Sequence, residues 1–197
     1  MREGARGGNH IQDIIQTWSR ERPDLDLSNY FIALFVMRLG RVVEDAYDHL
    51  CHMRFGISGA DLRVLFALRR AGKPYARRPT DLFKALLVTS GAITKQVHRL
   101  SKFGFVHRLA DPTHSAGVLI ALTGKGLKAT TAATNYLAQN SPIAPALVHL
   151  TAAERETIRR LLEQMLQDVE DARDRERTLR GRSNGTSRRR RRLAAFA

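Results

Sequence analysis

VTSGAITKQVHRLSKFG, residues 88–104, has the pattern of one amphipathic helix with its own start and stop signals. Thr89 or Ser90 supplies the side-chain oxygen that a helix N-cap requires, and apolar residues then recur every three or four positions. Gly104 follows the last apolar residue and predicts the helix end, because glycine adopts the left-handed conformation without strain. The opposite face is polar and basic and carries Thr94, Lys95, His98, Arg99 and Lys102.

A shorter apolar run, DLFKALL at residues 81–87, precedes this helix, and Thr80 is its candidate N-cap. Only a brief turn separates the two helices, a spacing typical of a helix-turn-helix whose second helix enters the major groove of DNA. Amphipathic helix pairs with a tight turn also occur in proteins that do not bind DNA. If this pair binds DNA, the expected base contacts are Thr89, Ser90, Thr94, Lys95 and His98, and the expected phosphate contacts are Arg99 and Lys102.

A β-hairpin is predicted directly after the second helix. Residues 106–109 and 117–122 have high β propensity and flank the turn-forming stretch DPTHSA, residues 111–116. A hairpin in this position is a wing, whose tip can reach the DNA backbone or the adjacent minor groove, and His114 at this tip is a further candidate contact. The predicted fold is therefore mainly α with a small β-hairpin wing, a winged helix-turn-helix domain plus a helical dimerisation domain.

The run PTDLFKALLVTSGAITKQVHRLSKFGFVHRLADPTHSAGVLIALTGKG, residues 79–126, resembles the winged-helix core of MarR-type transcriptional regulators almost position for position. The likeness extends over residues 23–169. Residues 15–28, IQTWSRERPDLDLS, are similar to the leader of the subgroup that has an extra N-terminal helix with a tryptophan, as in urate-responsive regulators. The resemblance implies a homodimer, in most cases a repressor, that binds a palindromic double-stranded DNA operator and responds to a small-molecule effector. It implies no cofactor.

The wing departs from the family pattern that the resemblance implies. MarR wings usually read DPxDRR, whereas this chain has His114, Ser115 and Ala116 at the last three of these positions. The arginine expected in the minor groove is therefore missing from the wing turn.

The ligand site implied by the resemblance also departs from the family pattern. Urate-type members pair the leader tryptophan with an aspartate and with two arginines on the recognition helix. Trp18 and Arg99 match, whereas Arg63 stands where the aspartate belongs and Gln96 replaces one arginine. These four residues are the expected lining of the effector site, and a guanidinium pair favours an anionic, aromatic carboxylate. Alternatively, Trp18 only attaches the leader helix by burying its ring.

The expected organisation is a leader helix at residues 1–22, a helical dimerisation region at residues 23–55 and 124–172, and the winged domain at residues 56–123. Within the winged domain the loop KPYARRP, residues 73–79, offers Lys73, Arg77 and Arg78 as phosphate contacts, unless it is simply solvated. A heptad-like apolar stripe predicts a dimer seam, although such a stripe is also compatible with an ordinary core. The stripe consists of Ile158, Leu161, Leu162, Met165, Leu166 and Val169.

A net charge of +14 and a pI near 11.1 indicate an acidic partner such as nucleic acid. Ten arginines against two acids in residues 173–197 account for +8 of that charge. This segment lacks an apolar period and is expected to be a disordered tail. Its arginines could bind phosphates without sequence preference, which makes a nonspecific or architectural DNA-binding protein the alternative function, or they could only improve solubility.

The sequence predicts no enzyme, because it contains none of the common hydrolase, metalloprotease or phosphate-loop motifs. His49 and His52 lie three apart on a helix, but two histidines alone are weak support for a metal site. The single cysteine, Cys51, suits a reducing compartment and is expected to be a buried small side chain rather than a redox sensor. With no secretory leader or membrane-length apolar run evident, a cytoplasmic, nucleoid-associated protein is expected.

Overall fold

The computed structural model describes the backbone of residues 6–114 and 117–194, and the side chains of residues 10–114, 117–176 and 178. It divides into two units, Met1–Ala144 and Pro145–Ala197. The elements, in chain order, are α1 (Arg6–Glu21), α2 (Ser28–Phe55), α3 (Gly59–Arg70), β1 (Ala76–Arg77), α4 (Pro79–Ala85), α5 (Ser90–Lys102), β2 (Val106–Ala110), β3 (Val118–Leu122), α6 (Gly124–Asn140), α7 (Ala144–Leu147) and α8 (Ala152–Ala194). The predicted mainly helical fold with a small hairpin is confirmed.

The core of the first unit forms around α3. Its apolar face is buried and packs against α5, α6 and the sheet, so these elements share one hydrophobic cluster. The largest fully buried side chains of this cluster are Leu62, Leu65, Leu68, Leu82, Ile93, Leu100 and Ile120. Truncating one such leucine to alanine typically costs about 2–5 kcal/mol, so this packing fixes the relative positions of α3 and α5.

The sheet has the strand order β1-β3-β2 and is antiparallel throughout. The predicted hairpin is formed by β2 and β3, in which Val106 pairs with Leu122 and Ala110 with Val118. The third strand, β1, lies in the segment that the sequence suggests is a loop. A strand of two residues is too short to show the alternation of apolar and polar residues by which strands are detected.

The predicted boundaries of α5 are confirmed. Thr89 is the N-cap, and its hydroxyl oxygen accepts a hydrogen bond from the Ala92 N–H at 3.2 Å. Gly104 has a φ of 73°, as expected of a residue that ends a helix in the left-handed conformation. Beyond it, the Lys125 ammonium donates to the Phe103 carbonyl at 2.8 Å and satisfies one of the free carbonyls at the helix end.

The predicted start of α4 is wrong by two residues. Pro79 is the first residue of the helix and Arg78 is its N-cap, so Thr80 lies inside the helix and does not cap it. Proline suits the first helical position because its missing N–H would have no partner there. The helix also ends earlier than predicted, at Ala85, since Leu87 adopts a left-handed φ of 54° in the turn before α5.

In the second unit, α8 begins with the predicted capping box. The Thr151 N–H donates to a Glu154 carboxylate oxygen at 2.7 Å, and the Glu154 N–H donates to the Thr151 hydroxyl at 3.3 Å. The helix then continues to Ala194. For residues 173–194 this corrects the expected disordered tail, because a helix that has already nucleated adds each further residue at little cost in free energy.

None of the described helices combines the length and apolar character needed to cross a membrane. In the same part of the chain, histidine, cysteine and acidic side chains do not gather in threes as a metal site would require.

Candidate nucleic-acid interface

The polar face of α5 is exposed because the opposite face is buried. Ile93, Val97 and Leu100 are at most 4% exposed and pack into the core, which rotates the polar side chains outward. The exposed predicted contacts are Thr89, Ser90, Thr94, Lys95, His98, Arg99 and Lys102. The hydrophobic period of the sequence therefore determines which face of this helix can meet a partner.

Two side chains in the middle of this face are uncommitted. Lys95 and His98 form neither a hydrogen bond nor an ion pair with any residue in the described part of the chain. Thr94, by contrast, donates its hydroxyl hydrogen to the Ser90 carbonyl at 3.0 Å, so its methyl group and its oxygen lone pairs are what remain for a partner. A cation and an imidazole about one helical turn apart can form hydrogen bonds with base edges or phosphates in a DNA groove.

Arg99 is committed to a carboxylate, which changes the role predicted for it. Its Nε donates to one oxygen of Asp61 at 3.1 Å and its Nη2 donates to the other at 2.8 Å. The Asp61 side chain is only 4% exposed, whereas that of Arg99 is 47% exposed. The hydrogen bond to Asp61 raises the pKa of the Arg99 guanidinium. Arg99 is therefore first a link between α5 and α3, and only its outer side is available to a phosphate or ligand.

Asp61 belongs to this site although the sequence analysis did not single it out, and the sequence does contain a signal for it. It lies four and seven positions before Leu65 and Leu68, so it belongs to the buried face of α3. A carboxylate on an apolar face requires a cationic partner, and Arg99 provides it. The resemblance places Arg63 at the aspartate position instead, two residues later and therefore on another side of the helix.

Arg63 accordingly faces α2 rather than α5. Its guanidinium donates to the Glu44 carboxylate at 2.7 Å and lies 5.8 Å from the centre of the Tyr47 ring. Both side chains of this ion pair are substantially exposed. The two arginines expected to share an effector site thus hold separate carboxylates.

The remaining two residues of the expected effector site also differ from each other in environment. Gln96 is buried, and its side-chain oxygen has no hydrogen-bond partner among the described residues. Trp18 is 43% exposed, whereas Ile11 of the same helix is buried, so the alternative that Trp18 attaches α1 by burying its ring is not supported. Within the described part of the chain, Trp18 has no hydrogen bond or ring contact with the other three residues.

The surroundings of Cys51 and His52 indicate a role in the fold rather than in redox or metal chemistry. Cys51 is fully buried in the core, and this burial raises the pKa of its thiol, which keeps it in the unreactive protonated form. His52 lies 3.4 Å from a carboxylate oxygen of Asp48, whose other oxygen accepts the Gly59 N–H at 2.8 Å. This acid therefore joins the end of α2 to the start of α3.

The wing turn is held by a residue from outside the hairpin. Arg78 donates from Nε to the Asp111 carboxylate at 2.5 Å and from Nη2 to the Thr113 hydroxyl at 2.6 Å. Hydrogen bonds from Thr113, and after them those from Arg78, hold the pKa of the Asp111 carboxyl well below its usual range. Arg78 is thus anchored to the wing turn rather than solvated in a loop, and its side chain remains 38% exposed. Lys73 and Arg77, also predicted as contacts, are exposed.

Comparison with known proteins gives a consistent result. A family model described as the MarR family matches residues 55–116. The HTH-type transcriptional regulator PecS of Dickeya dadantii is 30% identical over 116 residues, which cover 59% of this chain and 69% of PecS. The multiple antibiotic resistance protein MarR of Escherichia coli is 36% identical over 104 residues, which cover 51% of this chain and 69% of that protein.

Solved structures agree with the sequence comparisons. A crystal structure of a mutant MarR from Escherichia coli complexed with operator DNA has a TM-score of 0.57 and 32% identity, and the match covers 72% of this chain and 99% of that one. A MarR family transcriptional regulator from Streptomyces coelicolor has a TM-score of 0.62 at 22% identity, covering 74% of this chain and 98% of that one, a likeness of fold alone.

The Asp61–Arg99 pair predicts a large effect on stability. Arg99→Met leaves the Asp61 carboxylate buried without a cation, so we expect the free energy of unfolding to fall by about 3 kcal/mol, the lower end of the range for a broken buried pair because Arg99 is half exposed. Urea denaturation at fixed protein concentration measures this loss. Arg63→Met, which breaks the exposed pair with Glu44, is the control and should cost less than about 1 kcal/mol. Equal losses in the two variants would contradict the special role of Asp61.

Proposed function

This chain belongs to the MarR family of winged-helix, DNA-binding transcriptional regulators, and we propose that it acts as a homodimeric, sequence-specific repressor whose affinity for DNA a small ligand alters. The observation that carries this proposal is the exposed face of α5, on which Lys95 and His98 are uncommitted and protrude from a rigidly packed helix. The second helix of a helix-turn-helix reads base edges with such side chains. The likeness to a MarR–operator complex supports the same use of this face.

Dimerisation is supported by apolar side chains that each unit leaves exposed. On α2 these residues are Ile32, Phe35, Val36, Met37, Leu39 and Val42, each between 44% and 61% exposed. On α8 they are Leu161, Leu162, Leu166 and Val169, each between 48% and 66% exposed. Contiguous apolar surface on helices is characteristic of an interface, and a twofold pair would place two copies of α5 about 34 Å apart, one turn of duplex DNA. The binding free energies of both copies would then combine on a palindromic operator.

Ligand control is proposed for the region where α3 meets α5. The buried oxygen of Gln96 lacks a partner among the described residues and is an acceptor that a ligand could satisfy. An anionic effector that takes the place of a carboxylate would compete with Asp61 for Arg99 or with Glu44 for Arg63. Loss of the Asp61 bond would change how α5 is held on α3. A ligand that favours this second arrangement would therefore shift the DNA affinity.

Base reading by α5 is tested with the variant Lys95→Ala/His98→Ala. We expect operator affinity to fall by about 10–100-fold, since a specific base contact contributes about 1–3 kcal/mol, while affinity for unrelated DNA changes little. Footprinting on the protein's own promoter region identifies the operator, and binding curves then give both affinities. Lys128→Ala, which removes an equal charge from an exposed position of α6, is the control. Unchanged target selection in the double variant would contradict the proposal.

The same assay separates the alternative of a nonspecific DNA-binding protein driven by its tail. The side chains of residues 179–197, which include most of the tail arginines, lie outside the described residues. A chain truncated after Ala172 keeps its operator preference if α5 reads the sequence. It loses nearly all DNA affinity if the tail arginines supply the binding.

The proposed dimer predicts that Leu162→Glu/Leu166→Glu yields monomers. Burying two added carboxylates in an apolar seam is unfavourable, so the mass in sedimentation equilibrium should fall from that of two 22.2 kDa chains to that of one. Operator affinity should fall with it. Gln164→Glu, on the polar side of the same helix, should leave the wild-type dimer intact. A wild-type chain that sediments as a stable monomer would disprove the proposed assembly.

Effector binding is tested by titrating aromatic carboxylates while the fluorescence of Trp18, the single tryptophan of the chain, is recorded. We expect one class of these anions to change the fluorescence and to lower operator affinity over the same concentration range. Gln96→Leu, which fills the site without a polar group, should abolish both effects. If no anion changes either signal, control by this class of ligand is excluded.

A further inference from the structure

We propose that Arg78 supplies the DNA-contacting cation of the wing, from outside the hairpin, and that the imidazole of His114 presents a hydrogen-bond donor beside it. The acceptors these groups fit are phosphate oxygens and the minor-groove edges of bases next to the site that α5 occupies. The inference rests on the proposed function, because it assigns residues to a second contact of the same DNA. The wing turn itself contains no arginine at residues 114–116, which are His114, Ser115 and Ala116.

The path of the backbone explains how Arg78 reaches this turn. β1 pairs antiparallel with β3, with Ala76 opposite Ala121 and Arg77 opposite Ile120. The chain that leaves β1 therefore advances toward the N-terminal end of β3, which the wing turn joins. Arg78 is the next residue, and α4 starts directly after it.

The side chain of Arg78 is fixed in direction by three partners in the turn. Besides Asp111 and Thr113, its Nη2 lies 2.8 Å from Nδ1 of His114. Asp111 is itself held within the wing turn. Its other carboxylate oxygen accepts hydrogen bonds from the Thr113 N–H at 2.9 Å and from the Thr113 hydroxyl at 2.7 Å. A guanidinium held in this way loses little conformational entropy when it meets DNA.

The ion pair leaves its positive end at the surface. The Asp111 side chain is 2% exposed, whereas that of Arg78 is 38% exposed. A partner that approaches the turn therefore meets the guanidinium and not the carboxylate. The charge of Asp111 is buried behind it, and in a duplex groove the local field favours the exposed cation.

The hydrogen-bond chemistry of the turn fixes the tautomer of His114. A guanidinium can only donate, so Nδ1 of His114 accepts the bond from Arg78. The Thr113 hydroxyl, 3.1 Å from the same Nδ1, directs its hydrogen to Asp111. The ring hydrogen of the neutral imidazole is therefore on Nε2, where it is a donor at the exposed tip of the wing.

The test compares full-length Arg78→Gln with the wild type on the footprinted operator. We expect affinity to fall about tenfold, and the slope of log K against log salt to decrease by about one per subunit, as for loss of a phosphate contact. Hydroxyl-radical protection of the minor groove beside each half-site should disappear, while protection within the half-sites remains. Arg70→Gln, an exposed arginine at the end of α3, is the matched control and should alter neither quantity.

Two further variants distinguish a direct contact of Arg78 with DNA from a role of Arg78 that only stabilises the wing turn. Thr113→Val removes one anchor of Arg78 but keeps its charge, so affinity should fall while the salt slope stays at the wild-type value. Arg78→Lys should restore the slope but not the full affinity, because an ammonium cannot replace the planar fork. A reduced slope in Thr113→Val equal to that of Arg78→Gln would overturn the direct contact.

The outcomes for this inference and for the proposed function are distinguishable. If Arg78→Gln keeps the wild-type slope and protection while Lys95→Ala/His98→Ala loses target selection, the wing assignment is wrong and the proposed function stands. If the wild type protects no site on any promoter fragment, the proposed function is wrong, and the assignment of Arg78 is overturned with it.

Discussion

Burial of one face of α5 is the constraint on which the rest of this molecule depends. Ile93, Val97 and Leu100 can leave water only by packing against α3 and the sheet, and this packing determines the rotation of the helix about its axis. The polar side chains on the opposite side of the helix therefore face outward. The DNA-binding surface proposed for Lys95 and His98 is thus a consequence of hydrophobic packing on the other side of the same helix.

Two ion pairs attach the DNA-facing parts to this core in the same manner. Asp61 holds Arg99 of α5, and Asp111 of the wing turn holds Arg78, which comes from the chain before α4. In both pairs the acid is almost fully buried and the arginine is more than one-third exposed. Each pair therefore fixes a surface element and keeps a positive charge at the surface. The energetic reason is that a buried carboxylate is tolerated only with its cation, so neither partner can leave alone.

The same arrangement makes one of the pairs suitable for control. The Asp61–Arg99 bond joins the proposed reading helix to the helix at the centre of the core. It lies close in the chain to Gln96, whose buried side-chain oxygen has no hydrogen-bond partner in the described part of the protein. A ligand that competes for Arg99 would act on the position of α5 without touching the core leucines. The wing pair, in contrast, lies entirely among Arg78 and the turn residues, a position that suits the proposed DNA contact rather than a switch.

The sequence by itself determined most of the helices, the β2–β3 hairpin and the exposed face of α5. Caps such as Thr89 and the box at Thr151, the glycine stop at Gly104 and the helical period of α5 are local signals, each complete within a few residues. Only the tertiary structure decided the partners. Asp61 and Arg99 are 38 positions apart, and Arg78 and Asp111 are 33 apart, so no local period relates them. Such contacts depend on how whole helices and strands pack, which is why the sequence did not reveal the carboxylates that Arg99 and Arg78 hold.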